Sequence, residues 1–441
     1  MVEETITRDV SMQSAVPKKD HLPEARDFRR RLEKILPNEA ERLELLECLG
    51  MGLKKSLRVL RWNPLKNASS EEIEKLRRDL GDEPPAEKPD WLREAWILSP
   101  DQVQRLDSHP LMGAGLLFVQ EAGASEVVGA LRIKRGMRVL DMCAAPGAKS
   151  TQIAEALGAE GWLVANEPDT RRAKKLDALL ARSGAVNVSV YAAGGERLPQ
   201  LIDFKFDAIL VDAPCSGESL YFKRKEQRSD VRDAEVRRCA QIQDKLLEAA
   251  AAMTTDGGRI LYSTCTYSRD ENEDRIEKFL SEHPDWDVLT QQRRWPHRDG
   301  VAGGYWALLA RKGREHDLPG TRGEAAHEAQ PEVSASLEYP QLEDFDAKHL
   351  VRHGLKTWED DVDVYARAMA SGAKKGDRPV FVLQKESDLK AFLRGESVAS
   401  PELQGPSEEC DVYWGERCVG IAKRVPGRLN NLLPKTLKAG A

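Results

Sequence analysis

The stretch Met137–Leu157, MRVLDMCAAPGAKSTQIAEAL, decides how the rest of the chain is read. An apolar run ends at Asp141–Met142, small residues with Pro146–Gly147 make a tight turn, and a helix opens near Ala148. A strand, a turn and a helix in that order let a ligand come close to the backbone and meet helix N–H groups. The turn is not a GxGxxG, and Lys149–Ser150 lacks the preceding glycine of a phosphate-cradling loop, which disfavours a nucleoside triphosphatase. Glu167 ends the next apolar run, about 20 residues after Gly147, a spacing at which an acid binds ribose hydroxyls. The pair of features predicts a nucleoside-containing cofactor.

Outward from this stretch, residues 111–312 alternate short apolar runs with helical ones. MRVLDM, GWLVAN (161–166), VNVSVYA (186–192), FDAILVDA (206–213) and RILYST (259–264) read as strands. AKSTQIAEAL (148–157), TRRAKKLDALLARSG (170–184) and DAEVRRCAQIQDKLLEAAAAM (233–253) read as helices. The alternation predicts an α/β fold with a doubly wound, Rossmann-like parallel sheet, in which ligands collect at the carboxyl ends of the strands.

Two cysteines fall at such ends, in VDAPCSGE (211–218) and LYSTCTYS (261–268). A lone cysteine is usually a small buried residue. Two at two strand ends, with Asp212 three residues before Cys215, point into one cleft beside the cofactor. Thiolate is a strong nucleophile, and a carboxylate can hold or move a substrate proton. Pyrimidines need such help, because carbon 5 of cytosine becomes carbanion-like only after a nucleophile adds at carbon 6. One cysteine would attack, and a base would later remove the hydrogen from carbon 5.

The bulk numbers set limits. A chain of 441 residues suggests about two or three domains. With 41% hydrophobic and 32% charged residues it reads as soluble and globular, and as cytoplasmic, without a secretory signal or an apolar run long enough to span a bilayer. The 7 cysteines include no CxxC pair, and the 8 histidines form no ligand set, so neither disulfides nor a metal is expected. Cys48, Cys143, Cys239, Cys410 and Cys418 read mostly as packing residues, Trp414 as core of a small β unit. Net charge is −6, yet YFKRKEQR (221–228) and the C-terminal Lys423, Arg424, Arg428, Lys435 and Lys438 are locally basic patches able to meet phosphates.

The expected organisation is a flexible tail over 1–20, an N-terminal RNA-binding lobe over 21–110, the catalytic domain over 111–312, a linker over 313–338 and a small unit over 339–441. In the lobe, Ser69 and Glu72 have capping-box spacing, and Pro64 in SLRVLRWNPLK argues for an edge or loop. A monomer is expected.

DMCAAPGAKSTQ (141–152), VDAPCSG (211–217) and YSTCTYSRDENE (262–273) resemble, in order and spacing, the Sun-type RNA cytosine-5 methyltransferases. GLLFVQEAGAS (115–125) points to the branch that modifies the small ribosomal subunit, and LRGESV (393–398) with the stretch from Asp411 onward resembles that branch's PUA-like RNA-binding domain. The resemblance implies a class I methyltransferase fold and S-adenosylmethionine-dependent methylation of carbon 5 of cytosine in structured RNA, 16S rRNA or the 30S subunit, through a covalent cysteine adduct. It implies Cys265 as nucleophile, Cys215 as the residue that promotes product release, and Asp212 as the group that binds or polarises the cytosine and borders the cofactor. Cys143, Ala144, Ala145, Pro146, Gly147, Ala148, Lys149, Glu167 and Arg172 would hold S-adenosylmethionine, with Lys174 at a second basic position. DNA cytosine methyltransferases attack with the Cys of a Pro-Cys motif, which keeps Cys215 as a rival nucleophile. Where the family often has an acid for the adenine amino group this chain has Gly194, with Glu196 the candidate substitute. The alternatives are a transfer RNA cytosine-5 methyltransferase and a non-catalytic RNA-binding assembly factor.

Overall fold

Among the described residues three β-sheets order the chain, and the middle one, of eight strands, is the largest. The computed structural model describes residues 26–50, 56–66, 70–80, 95–106, 109–158, 160–185, 187–219, 231–312, 348–353, 379–393, 396–404, 406–414 and 417–432. The tail expected over 1–20, the linker over 313–338, the basic stretch 221–228, Ser69, Lys435 and Lys438 lie outside the described residues.

The N-terminal segment opens with helices α1 (Arg26–Ile35) and α2 (Glu39–Gly50). Strands β1 (Arg58–Trp62), β2 (Ala95–Leu98) and β3 (Leu117–Glu121) form an antiparallel sheet in the order β2-β1-β3. Strand β1 is thus central, contrary to the edge or loop expected from Pro64; the proline lies two residues past the strand end, where a missing N–H costs no ladder bond. Residues 117–121, placed in the catalytic domain by sequence, pair with β1 in this first sheet.

The central sheet contains β4 (Arg138–Asp141), β5 (Trp162–Asn166), β6 (Val188–Tyr191), β7 (Phe206–Asp212), β8 (Thr254–Thr264), β9 (Trp286–Arg294), β10 (Gly304–Arg311) and β11 (Leu350–His353). Their order is β11-β6-β5-β4-β7-β8-β10-β9. Strands β4 to β8 are parallel as expected, whereas β10 runs antiparallel between β8 and β9, and β11 antiparallel beside β6. The sheet is therefore mixed. Strands β5 and β6 are buried at every position, as a sheet covered on both faces requires. One face packs Leu140, Val164, Ile209 and Val211 against Leu246 and Leu247 of the helix over Asp233–Met253, with Ile276 and Phe279 of the helix over Glu273–Glu282. The other packs Val139, Leu163, Ala208 and Leu210 against the helices over Ala122–Ala130, Ala148–Leu157 and Thr170–Ser183.

Local signals account for the helix over Thr170–Ser183. Asp169 accepts from the N–H groups of Arg171 and Arg172 at 2.9 and 3.0 Å, and Gly184 closes the C-terminus at φ +81°. Ala178 and Ala181 of this helix share a core with Leu383, Phe392 and Val412 of the C-terminal unit. That unit holds β12 (Val380–Leu383), β13 (Val398–Ala399), β14 (Glu408–Trp414), β15 (Arg417–Val425) and β16 (Arg428–Asn431) in the order β12-β14-β15-β16-β13. Trp414 packs against its core and carries the Lys75 ammonium 5.7 Å above its ring. Cys410 and Cys239 are buried in their cores; the Cys418 side chain lies outside the described residues. Among the described residues no helix is long and apolar enough to cross a membrane.

Asn63 joins the first sheet to the second. It is fully buried, and its Nδ2 donates to the carbonyls of Gly115 and Ser183, each at 2.7 Å, while its Oδ1 accepts from the Leu65 N–H at 3.0 Å. Asn63→Leu leaves two buried carbonyls short of a donor and should lower stability by roughly 2–4 kcal/mol, read as a fall in the urea midpoint at unchanged m-value. A loss under about 0.5 kcal/mol would show that water replaces the amide without penalty.

Candidate active site

The chain runs from β4 outward through β5 to β6 and then returns to β7 on the other side of β4, so the crevice at the carboxyl ends of β4 and β7 is the switch point of the sheet. A cavity of about 440 Å³ opens there, lined among others by Cys143, Ala145, Glu167, Arg172, Asp212, Cys215 and Cys265. Seven of the residues singled out by sequence thus share one space. The volume falls within the range of small-molecule sites.

The turn after β4 shapes one wall. Gly147 sits at φ +112°, and a Cβ there would come within 2.9 Å of Leu176 and 2.8 Å of Leu179, so only glycine allows the helix over Ala148–Leu157 to start against its neighbour. That helix has no side-chain cap. Ala144 is buried in the core behind the turn rather than lining the cavity. Glu167, nearly buried, accepts from the Asp169 N–H at 3.0 Å and from Arg172 at 3.2 Å, and Arg172 also donates to the Ala145 carbonyl at 2.9 Å. Lys174 is exposed and does not line the cavity, two residues beyond Arg172 and so on another face of the helix. Beside Gly194 the space a Cβ would take is filled by the Glu196 carboxylate, 2.5 Å from that point. An acid at position 194 and the acid at 196 cannot both occupy it.

The opposite wall is electrostatic. Lys149 Nζ donates to Asp212 Oδ2 at 2.7 Å, and Ser263 Oγ to Asp212 Oδ1 at 2.7 Å, so the carboxylate is held on both sides. Burial pulls the Lys149 ammonium down, but Asp212, Cys265 and Asp141 outweigh it and raise its pKa. Cys215 Sγ and Cys265 Sγ stand 3.1 Å apart. The hydrogen bond between them pushes the two thiols in opposite directions. Cys215 is raised well above an ordinary thiol by that bond and by burial, whereas Cys265 is lowered by it, with Lys149 helping. Cys143 is raised well above its usual value by burial and by Asp141, Asp212 and Glu167, which makes it a poor nucleophile.

Two buried acids escaped the sequence reading. Asp141, at the end of β4, accepts from Ser150 Oγ at 2.6 Å, while its Oδ1 has no partner among the described residues; burial pushes it up to about 7. Glu271 accepts from the Ser216 N–H at 2.9 Å, from Ser216 Oγ at 2.5 Å and from Gln243 Nε2 at 3.0 Å, so it holds the residue after Cys215; burial pushes it, too, up to about 7. Its signal was hidden, because Arg269, Asp270 and Glu273 around it are charged residues of ordinary surface type.

Comparison with known proteins bears on this geometry. Residues 128–310 match the family described as 16S rRNA methyltransferase RsmB/F, and residues 382–438 match the methyltransferase RsmF PUA domain. The ribosomal RNA small subunit methyltransferase F of Serratia proteamaculans is 27% identical over 407 residues, covering 79% of this chain and 84% of that one. Its counterpart in Erwinia tasmaniensis is 27% identical over 470 residues, covering 93% and 96%. A solved methyltransferase homolog from Pyrococcus horikoshii superimposes with a TM-score of 0.55 at 25% identity, covering 66% of this chain and 96% of its own.

The two raised acids set a pH dependence. The folded protein binds the Glu271 proton more tightly than the unfolded chain does, so Glu271's contribution to stability is complete below about pH 4.5 and is lost as pH rises to about 7. Asp141 acts with the same sign up to about 7. Glu271→Gln should therefore remove roughly half of the stability lost between pH 5 and 7 in urea unfolding. An unchanged slope would show that Glu271 ionises in the fold as freely as in water.

Proposed function

Because this chain belongs to the RsmB/F family of 16S rRNA methyltransferases and carries that family's PUA domain, we propose that it methylates carbon 5 of a cytosine in 16S rRNA with S-adenosylmethionine as donor. The observation that carries the reading is the pair of thiols 3.1 Å apart at the cavity mouth, next to the Lys149–Asp212 ion pair. The donor set suits S-adenosylmethionine. Glu167 offers a carboxylate to ribose hydroxyls, Arg172 a guanidinium to the amino-acid carboxylate, and Gly147 and the uncapped helix after it leave the backbone open to close approach. Glu196, whose carboxylate fills the space beside Gly194, is the acid we assign to the adenine amino group. When bound, S-adenosylmethionine supplies an electrophilic methyl group.

The protein's own residues then do the following. Cys265, the thiol lowered by its partner, adds through sulfur to carbon 6 of the extruded cytosine and drives an electron pair onto carbon 5. Asp212, fixed by Lys149 and Ser263, hydrogen-bonds the base and keeps it flat against the thiol. After carbon 5 has gained its methyl group, a base or water takes the carbon 5 proton, the freed electron pair re-forms the carbon 5–carbon 6 double bond, the carbon 6–sulfur bond breaks, and Cys265 leaves as thiolate, with Cys215 promoting this elimination. The first lobe and the C-terminal unit hold the RNA by shape and phosphate contact, the latter through exposed Lys423 and Arg428. We assign the RNA-binding lobe, the catalytic domain and the PUA domain to this division of labour, acting on cytoplasmic ribosomal subunits.

Cys265→Ala should abolish methyl transfer to 16S rRNA and 30S subunits while leaving RNA binding intact. Cys215→Ala should accumulate a covalent RNA–protein adduct on a denaturing gel, because addition proceeds and release does not. The reverse pattern would assign attack to Cys215. Bisulfite sequencing of ribosomal and transfer RNA from a deletion strain separates the two substrates, and loss of a transfer RNA mark alone would overturn the ribosomal assignment.

A further inference from the structure

The loops that carry the two cysteines are tied by carboxylates exchanged crosswise. From the loop after β8, Glu271 holds Ser216. From the loop after β7, Glu218 reaches the other way, its Oε2 accepting from Thr266 Oγ1 at 2.9 Å and from the Tyr267 N–H at 3.0 Å. Ser219 adds its N–H and hydroxyl to the Cys265 carbonyl at 3.1 and 2.7 Å. Both acids are at most 1% exposed.

The two acids differ in one respect. Glu271 is met by neutral donors, whereas Glu218 is met by a cation from near the start of the sequence. Arg31, on α1, donates from Nε and Nη2 to Glu218 Oε1 at 3.0 and 2.8 Å. The same guanidinium donates to the Val231 carbonyl at 2.8 Å and pairs with Asp233 at the start of the helix over Asp233–Met253. Its side chain is 6% exposed. Phe28 and Leu32 of the same helix share a core with Tyr267 and Trp295, so Arg31 lies between an apolar seat and the two cysteine loops.

A buried carboxylate stripped of its cation does not stay in place; it reorients, protonates or draws in water. Glu218 can hold Thr266 and Tyr267, the two residues after Cys265, only while its other oxygen is held by Arg31. The guanidinium fork reaches Glu218, Val231 and Asp233 at once, which a lysine ammonium on a single point cannot do. We propose that Arg31 is a positioning residue for methyl transfer that acts through Glu218 to keep Cys265 in register with Cys215. This rests on the catalytic reading above, but the thiol alignment it predicts can be read without turnover.

The test compares wild type with Arg31→Met, Arg31→Lys, Glu218→Gln and the Arg31→Met/Glu218→Gln double variant, each assayed below its melting temperature. Single-turnover methyl transfer to 16S rRNA should fall about tenfold or more in Arg31→Met, with KM for RNA and donor within about twofold, and less in Arg31→Lys. The double variant should be no slower than Arg31→Met alone, since the two residues act as one unit. Iodoacetamide alkylation of Cys265, followed on its peptide by mass spectrometry, should need a higher pH in Arg31→Met, because the bond from Cys215 that lowers it is misaligned. A rate within about twofold of wild type, losses that multiply in the double variant, or an unmoved alkylation profile overturns the proposal. If Arg31→Met does not fold, a wild-type rate and profile in Arg31→Lys overturns it equally. Wild type that alkylates as expected but transfers no methyl group to RNA would sink the catalytic reading instead, and the alkylation series alone would then decide for Arg31.

Discussion

The parallel register of β7 against β8 is the constraint on which the site depends. Asp212 pairs with Ser263, and the chains leave the sheet together from that point. Cys215 follows three residues after Asp212 and Cys265 two residues after Ser263, so the thiols meet without any long-range adjustment. A slip of one residue would exchange the residues that face the two helical layers. Both strands are internal and covered on both sides, so the two cores that surround them also set the alignment of sulfur with sulfur. Lys149 completes the arrangement from the neighbouring turn, where Gly147 brings the helix close enough for the ammonium to reach Asp212.

Burial then decides which group carries which charge. Asp141 and Glu271 are shifted toward neutrality by loss of water, while Lys149 stays charged because three anionic or ionisable neighbours outweigh its own desolvation. The thiols share a bond that cannot favour both as anions: it lowers Cys265 and raises Cys215. Perturbed groups of this kind gather where chemistry is done. Here the perturbation also sets two identical side chains apart, one thiol lowered and the other raised.

Much of this was legible in the sequence because it rests on local signals. The strand-turn-helix at Met137–Leu157, the helix over Asp233–Met253 and the two cysteines at strand ends stand where periodicity and turn residues put them. What escaped depends on contacts distant in sequence. Strand β9, WDVLTQQRR, is polar because it lies at an edge, so it lacks an apolar run. Arg31 is one of three consecutive arginines, and nothing local says which of them is buried. Glu271 stands in a charged stretch, and only the fold shows that Ser216 and Gln243 converge on it. Lys174 shows the converse, a residue implied by resemblance that the helix turns to solvent.

Strand β11 has a consequence for how the protein can be divided. Leu350–His353 lies far beyond the catalytic motifs in sequence, yet it supplies the outer ladder of β6, and the His349 carbonyl takes the Ala192 N–H at 2.8 Å. A fragment trimmed after residue 312 would bare that rim, with main-chain donors and acceptors unpaired along a short apolar strand, a ready template for a second copy of itself. The edge of the central sheet is therefore covered by residues well beyond its other strands in sequence, and truncation invites self-association at the margin farthest from β9.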